Sequence, residues 1–117
     1  MRLPNASVAH VERSKILEYL LNEDHREGGS KAHFFRQFGF RRGRWKQFAE
    51  ALRNHALEHE VRHRTESDYG TRYVIEGVLY TPDGRNPLVR TVWIVDDDAT
   101  APRLVTAYPI ESNRMTQ

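Results

Sequence analysis

Hydrophobic and polar positions change their period about halfway along this chain. Between Val11 and Leu21, the residues Ile16, Leu17, Leu20 and Leu21 form one apolar stripe at helical spacing. The polar run Asn22 to Gly29 breaks that stripe and closes on paired glycines. A second helix is expected next, with Ser30 as its cap, Phe34, Phe35 and Phe38 as its buried side, and Gly39 as its stop. Arg41-Arg42-Gly43-Arg44 leads into a third, from Trp45 to His59, with Trp45, Phe48 and Leu52 facing inward and His55 and Ala56 at the margin of that stripe.

From Glu60 onward the period is two. Glu60 to Arg64 alternates like an exposed edge strand, and Arg72 to Thr81 reads as a firmer one. Pro82 to Asn86 is a hairpin turn by residue type. Leu88 to Val95 and Arg103 to Tyr108 are strands rich in β-branched and aromatic residues, joined by an acidic loop. Both faces of that pair are largely apolar, which suggests the middle of a sheet. The fold class expected is α+β: two to three N-terminal helices packed on a three- to four-stranded antiparallel β-meander. No repeat or boundary divides the chain, so residues 1–117 are expected to form a single domain, with 1–10 an extended lead-in and 110–117 a flexible tail.

Composition sharpens the picture in three places. No apolar run reaches the roughly 18 residues of a membrane helix, so no membrane partner is expected. The absence of cysteine excludes disulfides and thiolate metal sites and fits a cytoplasmic location. The net charge is only +2, but between Lys31 and Arg64 nine basic residues face only Glu50, Glu58 and Glu60. Arginine supplies 15 of the 18 cations, and its planar fork matches phosphate oxygens. Arg36, Arg41, Arg42, Arg44 and Lys46 are therefore candidate nucleic-acid contacts. A solvated helix face accounts for the same pattern.

Two further features could carry chemistry. The loop His25 to Lys31 places a histidine, two glycines and a lysine at a helix start, where backbone amides favour an anion and a histidine can move a proton. Arg90 is a charge inside an apolar strand, so it needs a ligand or a structural partner such as Glu76. Thr106 and Tyr108 offer hydroxyls on one strand face. His55 and His59 have a zinc-like spacing, but HALEH lacks the glutamate of HExxH and no third ligand is placed, so no metal and no cofactor is expected.

The segments Leu3-Pro4-Asn5-Ala6, Tyr19-Leu20-Leu21-Asn22, His25, Gly28, Lys31-Ala32, Phe35, Tyr69-Gly70, Tyr73, Val89-Arg90-Thr91, Trp93-Ile94-Val95 and Pro102 to Pro109 together resemble a bacterial domain family that carries no activity name. Their order also looks like the small toxin domains of the barnase–EndoU–colicin–RelE nuclease class. That class packs N-terminal helices on a four-stranded meander and cleaves RNA without metal. The resemblance implies His25 as acid and base, Lys31 and Arg90 on the phosphate, and Thr106 and Tyr108 lining the scissile site. Where the family usually has proline after the histidine, this chain has Arg26.

The function expected is thus a metal-independent endoribonuclease acting as a bacterial toxin. Its partners would be RNA and a cognate antitoxin or immunity protein. The alternative is a non-catalytic module that binds a protein or nucleic acid through the basic helices. A nuclease requires Arg90, Thr106 and Tyr108 to meet His25 or Lys31 in one cleft; a binding module does not.

Overall fold

The computed structural model describes residues 1–110. Three helical segments precede a four-stranded antiparallel sheet, which is the α+β meander the periodicity suggests. Helix α1 (Arg13–Lys15) runs directly into a π-helical turn (Ile16–Leu20). Helix α2 spans Gly29–Gln37, and α3 spans Trp45–Glu58. The strands are β1 (Val61–Glu66), β2 (Gly70–Val78), β3 (Leu88–Asp96) and β4 (Arg103–Pro109), in spatial order β1-β2-β3-β4.

Helix α3 forms because Phe48, Leu52, His55 and Ala56 recur at helical spacing and all bury on one side. That side packs on the inner face of the sheet, which supplies Tyr73, Ile75, Val89, Trp93, Leu104 and Ala107. Phe35 of α2 and Phe40 flank Phe48, with ring centroids 4.9 and 4.4 Å away. Burying such side chains fully contributes about 1.5–3 kcal/mol each, so this aromatic cluster fixes the helices on the sheet.

Four details depart from the sequence pattern. Helix α2 begins at Gly29 with Gly28 in the cap position, so Ser30 is not the cap. The lead-in 1–10 contains a 3-10 turn (Ala6–Val8), and His10 makes a parallel bridge to Arg103. The apolar β4 is an edge strand, not a central one; its free side is partly closed by that bridge. A bulge in β4 places Thr106 opposite Val92 but Leu104 opposite Trp93, so Leu104 and Ala107 both enter the core. The tail expected from 110 onward lies, after Ile110, outside the described residues.

His55 and His59 are not paired as metal ligands. His55 is 2% exposed, and its Nε2–H is shared between the carbonyls of Gly77 and Val89, at 3.1 and 3.0 Å. Its Nδ1 accepts from the Thr91 hydroxyl at 3.1 Å, and Thr91 in turn accepts from the Trp93 indole at 2.9 Å. Every polar side-chain atom of this network has a partner, as its burial requires. Burial lowers the His55 pKa to about 4. His59 bonds the Val78 carbonyl at 3.0 Å, approaching so closely that a Cβ on Gly77 would lie 2.5 Å from its ring.

Candidate active site

Tyr19 sits in the π-helical turn, and the loop that follows wraps around it. His25 organises that loop. Its Nδ1 accepts hydrogen bonds from the backbone amides of Glu27 and Gly28, both at 2.9 Å, and its own carbonyl accepts from Gly29 at 2.9 Å. With Nδ1 engaged, the neutral ring carries its proton on Nε2 and has no free lone pair in this arrangement. The His25 ring meets the Tyr19 ring edge-on at 4.9 Å. Gly28 also packs against Tyr19; a Cβ there would fall 2.5 Å from Tyr19 Cδ1 and 2.8 Å from the Tyr19 carbonyl oxygen. Only glycine lets the backbone approach so closely.

Lys31 occupies the third position of α2, where a cation opposes the helix dipole by about 0.3–1 kcal/mol. Its Nζ lies 2.5 Å from the Tyr19 oxygen, to which it donates. The same oxygen lies 3.0 Å from Thr106 Oγ1 on β4. Partial burial pushes the Tyr19 phenol upward in pKa, but the hydrogen bonds with Lys31 and Thr106 and the charges of Lys31 and Lys15 outweigh it. The phenol therefore lies below the ordinary tyrosine value.

On the outer face of the sheet a second row of groups joins this one. Glu76, Arg90 and Tyr108 are direct cross-strand neighbours on β2, β3 and β4. Arg90 donates to the Tyr108 hydroxyl at 3.1 Å and grips Glu76, with its Nε at 2.6 Å from the carboxylate. The Tyr108 hydroxyl and the Glu76 carboxylate both raise the Arg90 pKa. Arg62 of β1 reaches the other Glu76 oxygen at 3.7 Å. Lys31 lies over the Tyr108 ring, 5.9 Å from its centroid, and so links the two rows.

His25, Lys31 and Thr106 thus meet at Tyr19, and Lys31 links them through Tyr108 to Arg90 and Glu76 in one connected cluster. Two open pockets border it. One, of about 710 Å³, is lined by Lys15, Tyr19, His25 and Thr106, with Glu12, Glu18 and Glu27 also on its walls. The other, of about 580 Å³, is lined by Ser30, Lys31, Phe34, Tyr108 and Pro109. The first pocket thus mixes Lys15, His25 and hydroxyls with three glutamates, and the second brings Lys31 and the Tyr108 hydroxyl to open space.

The basic helical residues are placed elsewhere. Arg36 pairs with Glu23 at 3.3 Å, and Arg42 donates to the Leu17 carbonyl. Arg41, Arg44 and Lys46 are exposed and make no ion pair among the described residues. None of the five bonds to the cluster.

Sequence reasoning did not single out Tyr19 or Arg62 as site residues, and it treated Glu76 as a structural partner alone. Tyr19 stands within an apolar helical stripe, and its neighbours Lys31 and Thr106 are 12 and 87 residues away. The one available signal was its place in the Tyr19-Leu20-Leu21-Asn22 segment. Among the described residues no three histidine or carboxylate side chains gather as a metal site, and no helix is long and apolar enough to cross a membrane.

Residues 2–111 match a family model described as Domain of unknown function (DUF6883). No curated protein matches the chain. Among solved structures, a chain of the contact-dependent growth inhibition toxin–immunity protein complex from Klebsiella pneumoniae 342 is similar to it, with a TM-score of 0.67 and 15% identity. The match covers 86% of this chain and 98% of that one. At this identity the likeness is one of fold.

Proposed function

We propose, from the premise that the chain belongs to the DUF6883 domain family, that it is a toxin domain that cleaves RNA without a metal ion and is restrained by an immunity protein. The observation that carries this reading is the meeting of Lys31, Tyr19 and Thr106 with Tyr108, Arg90 and Glu76 in a single cluster beside open pockets. The fold shared with a chain of a growth-inhibition toxin–immunity complex supports the toxin context and the kind of partner.

RNA carries its own nucleophile. The 2′-oxygen forms a bond to the adjacent phosphorus, its proton passes to the Glu76 carboxylate, and the bond from phosphorus to the 5′-oxygen breaks. The products are a 2′,3′-cyclic phosphate and a 5′-hydroxyl. Lys31 and Arg90 hold the phosphate between them over Tyr108, where they stabilise the charge that builds on its oxygens, usually the greatest single contribution to such catalysis. His25 donates a hydrogen bond through Nε2–H, because its Nδ1 is already committed to two amides. Arg41, Arg44 and Lys46 add contacts to the RNA backbone outside the site.

The test is induced expression in a bacterium of the wild type beside Lys31→Met and Arg90→Ala. The expected result is growth arrest with fragmented total RNA for the wild type alone. Normal growth with intact RNA and soluble, folded wild-type protein would overturn the reading in favour of a non-catalytic binding module.

A further inference from the structure

We propose that Tyr19 is the general acid of this site, its phenol supplying the proton that the departing 5′-oxygen requires. The inference rests on the RNA-cleaving reading above and adds to it a residue with a defined chemical step. As the phosphorus–O5′ bond breaks, its electron pair moves to O5′, which takes the Tyr19 proton. The phenolate left behind regains a proton from water after the product departs.

The geometry prepares that phenolate in advance. The Lys31 ammonium already donates to the Tyr19 oxygen at 2.5 Å, so the phenol proton is free to point away from it. Thr106 Oγ1 lies 3.0 Å from the same oxygen, where it can accept from the phenol or, once the proton has gone, turn its own O–H to donate. The developing anion therefore meets one donor already in place and a second that needs only a hydroxyl rotation, so its stabilisation costs little reorganisation.

The ring is also held in place. His25 meets it edge-on, and Gly28 leaves no room behind it. The charged groups around it come from every neighbouring element: Lys31 from α2, Lys15 from α1 with its Nζ 5.4 Å from the ring centroid, His25 from the loop, and Glu12, Glu18 and Glu27 on the pocket walls. The group in contact with the oxygen is the cation, and none of the glutamates bonds to it. This balance draws the phenol below its ordinary pKa, against the effect of burial. An acid must release its proton readily, and the Lys31 contact favours that release at Tyr19.

Tyr19 connects to Glu76 through Lys31, Tyr108 and Arg90 in turn.

The test compares an RNA dinucleotide with its analogue carrying sulfur in place of the bridging 5′-oxygen, since a thiolate leaves without protonation. The wild type should cleave both. Tyr19→Phe, which keeps the ring packing, should lose about 10²-fold or more on the oxygen substrate and cleave the sulfur analogue at close to the wild-type rate. Tyr80→Phe, at an exposed site away from the cluster, should change neither. For the wild type alone, the fall in rate at alkaline pH that accompanies loss of the Tyr19 proton should be present with oxygen and absent with sulfur, so the inference is testable even if Tyr19→Phe folds poorly. Equal slowing of Tyr19→Phe on both substrates, or no slowing on either, would remove Tyr19 as the acid while leaving the nuclease reading intact. Failure of the wild type to cleave either substrate would remove both.

Discussion

Lys31 Nζ lies 2.5 Å from the Tyr19 hydroxyl, joining the first turn of α2 to a π-helical turn 12 residues earlier. Neither residue gains much stability from the pairing. The lysine works against the dipole of its own helix, and the phenol gives up hydration. A contact placed against local preference is expected at functional sites rather than in scaffolding.

Replacement of Lys31 by Met should therefore leave the fold intact and reduce RNA cleavage by about 10²–10³-fold, the size expected for removing one electrostatic donor. It should also raise the Tyr19 pKa towards the ordinary tyrosine value. The ultraviolet phenolate titration of one tyrosine should move to higher pH in Lys31→Met relative to the wild type. An unchanged titration curve would separate the two residues.

Gly28→Ala should damage the site from behind. The added methyl would overlap the Tyr19 ring and its carbonyl, with the nearest atoms at 2.5 and 2.8 Å. Overpacking of this kind costs about 1–3 kcal/mol, which chemical denaturation would measure. The displaced ring should move away from Lys31 and Thr106, so activity should fall even where the variant is folded. A fully active Gly28→Ala would show that the ring position is not required.

Stability should decline on acidification through His55. Folded, it takes a proton only near pH 4, whereas the unfolded chain does so near 6.5. Between those values the unfolded state binds more protons, so stability is complete above about pH 6.5 and is lost as pH falls to 4, by roughly 3 kcal/mol in total. Replacing His55 by Gln should lower stability at pH 7 and flatten this dependence. Thermal melts of both proteins from pH 4 to 8 would read it directly.

Charge reversal at Arg41 and Arg44 should act on binding rather than on the chemical step. Both residues are exposed and lie outside the cluster, so KM should rise with little change in kcat. The salt dependence of RNA binding should weaken by about 0.7 in slope for each phosphate that is no longer neutralised. Arg90→Lys should do the reverse, lowering kcat, because lysine cannot span Tyr108 and Glu76 as the planar fork does. An Arg41/Arg44 variant with lost kcat would move the site towards the helices.

Much of this architecture was legible in the sequence because periodicity reports burial. The stripe Phe48, Leu52, Ala56 marks α3, and the exposed alternation of β1 marks an edge. The pairing of Arg90 with Glu76 was foreseeable from a charge in an apolar strand. Features set by distant partners were not legible. The β4 bulge follows from packing Leu104 and Ala107 into one core, and no local residue announces it. His55 looks like a candidate ligand until the carbonyls of Gly77 and Val89, 22 and 34 residues away, close around it. Tyr19 reads as one more apolar helical residue until α2 and β4 bring Lys31 and Thr106 to its oxygen.

The most direct measurement is incubation of the purified chain with a defined RNA in the presence of EDTA, beside the same RNA carrying 2′-deoxy sugars throughout. The account predicts fragments ending in 2′,3′-cyclic phosphate from the ribose strand, none from the deoxy strand, and loss of cleavage in Lys31→Met and Arg90→Ala. Intact RNA with the folded wild type, or equal cleavage of both strands, would contradict it.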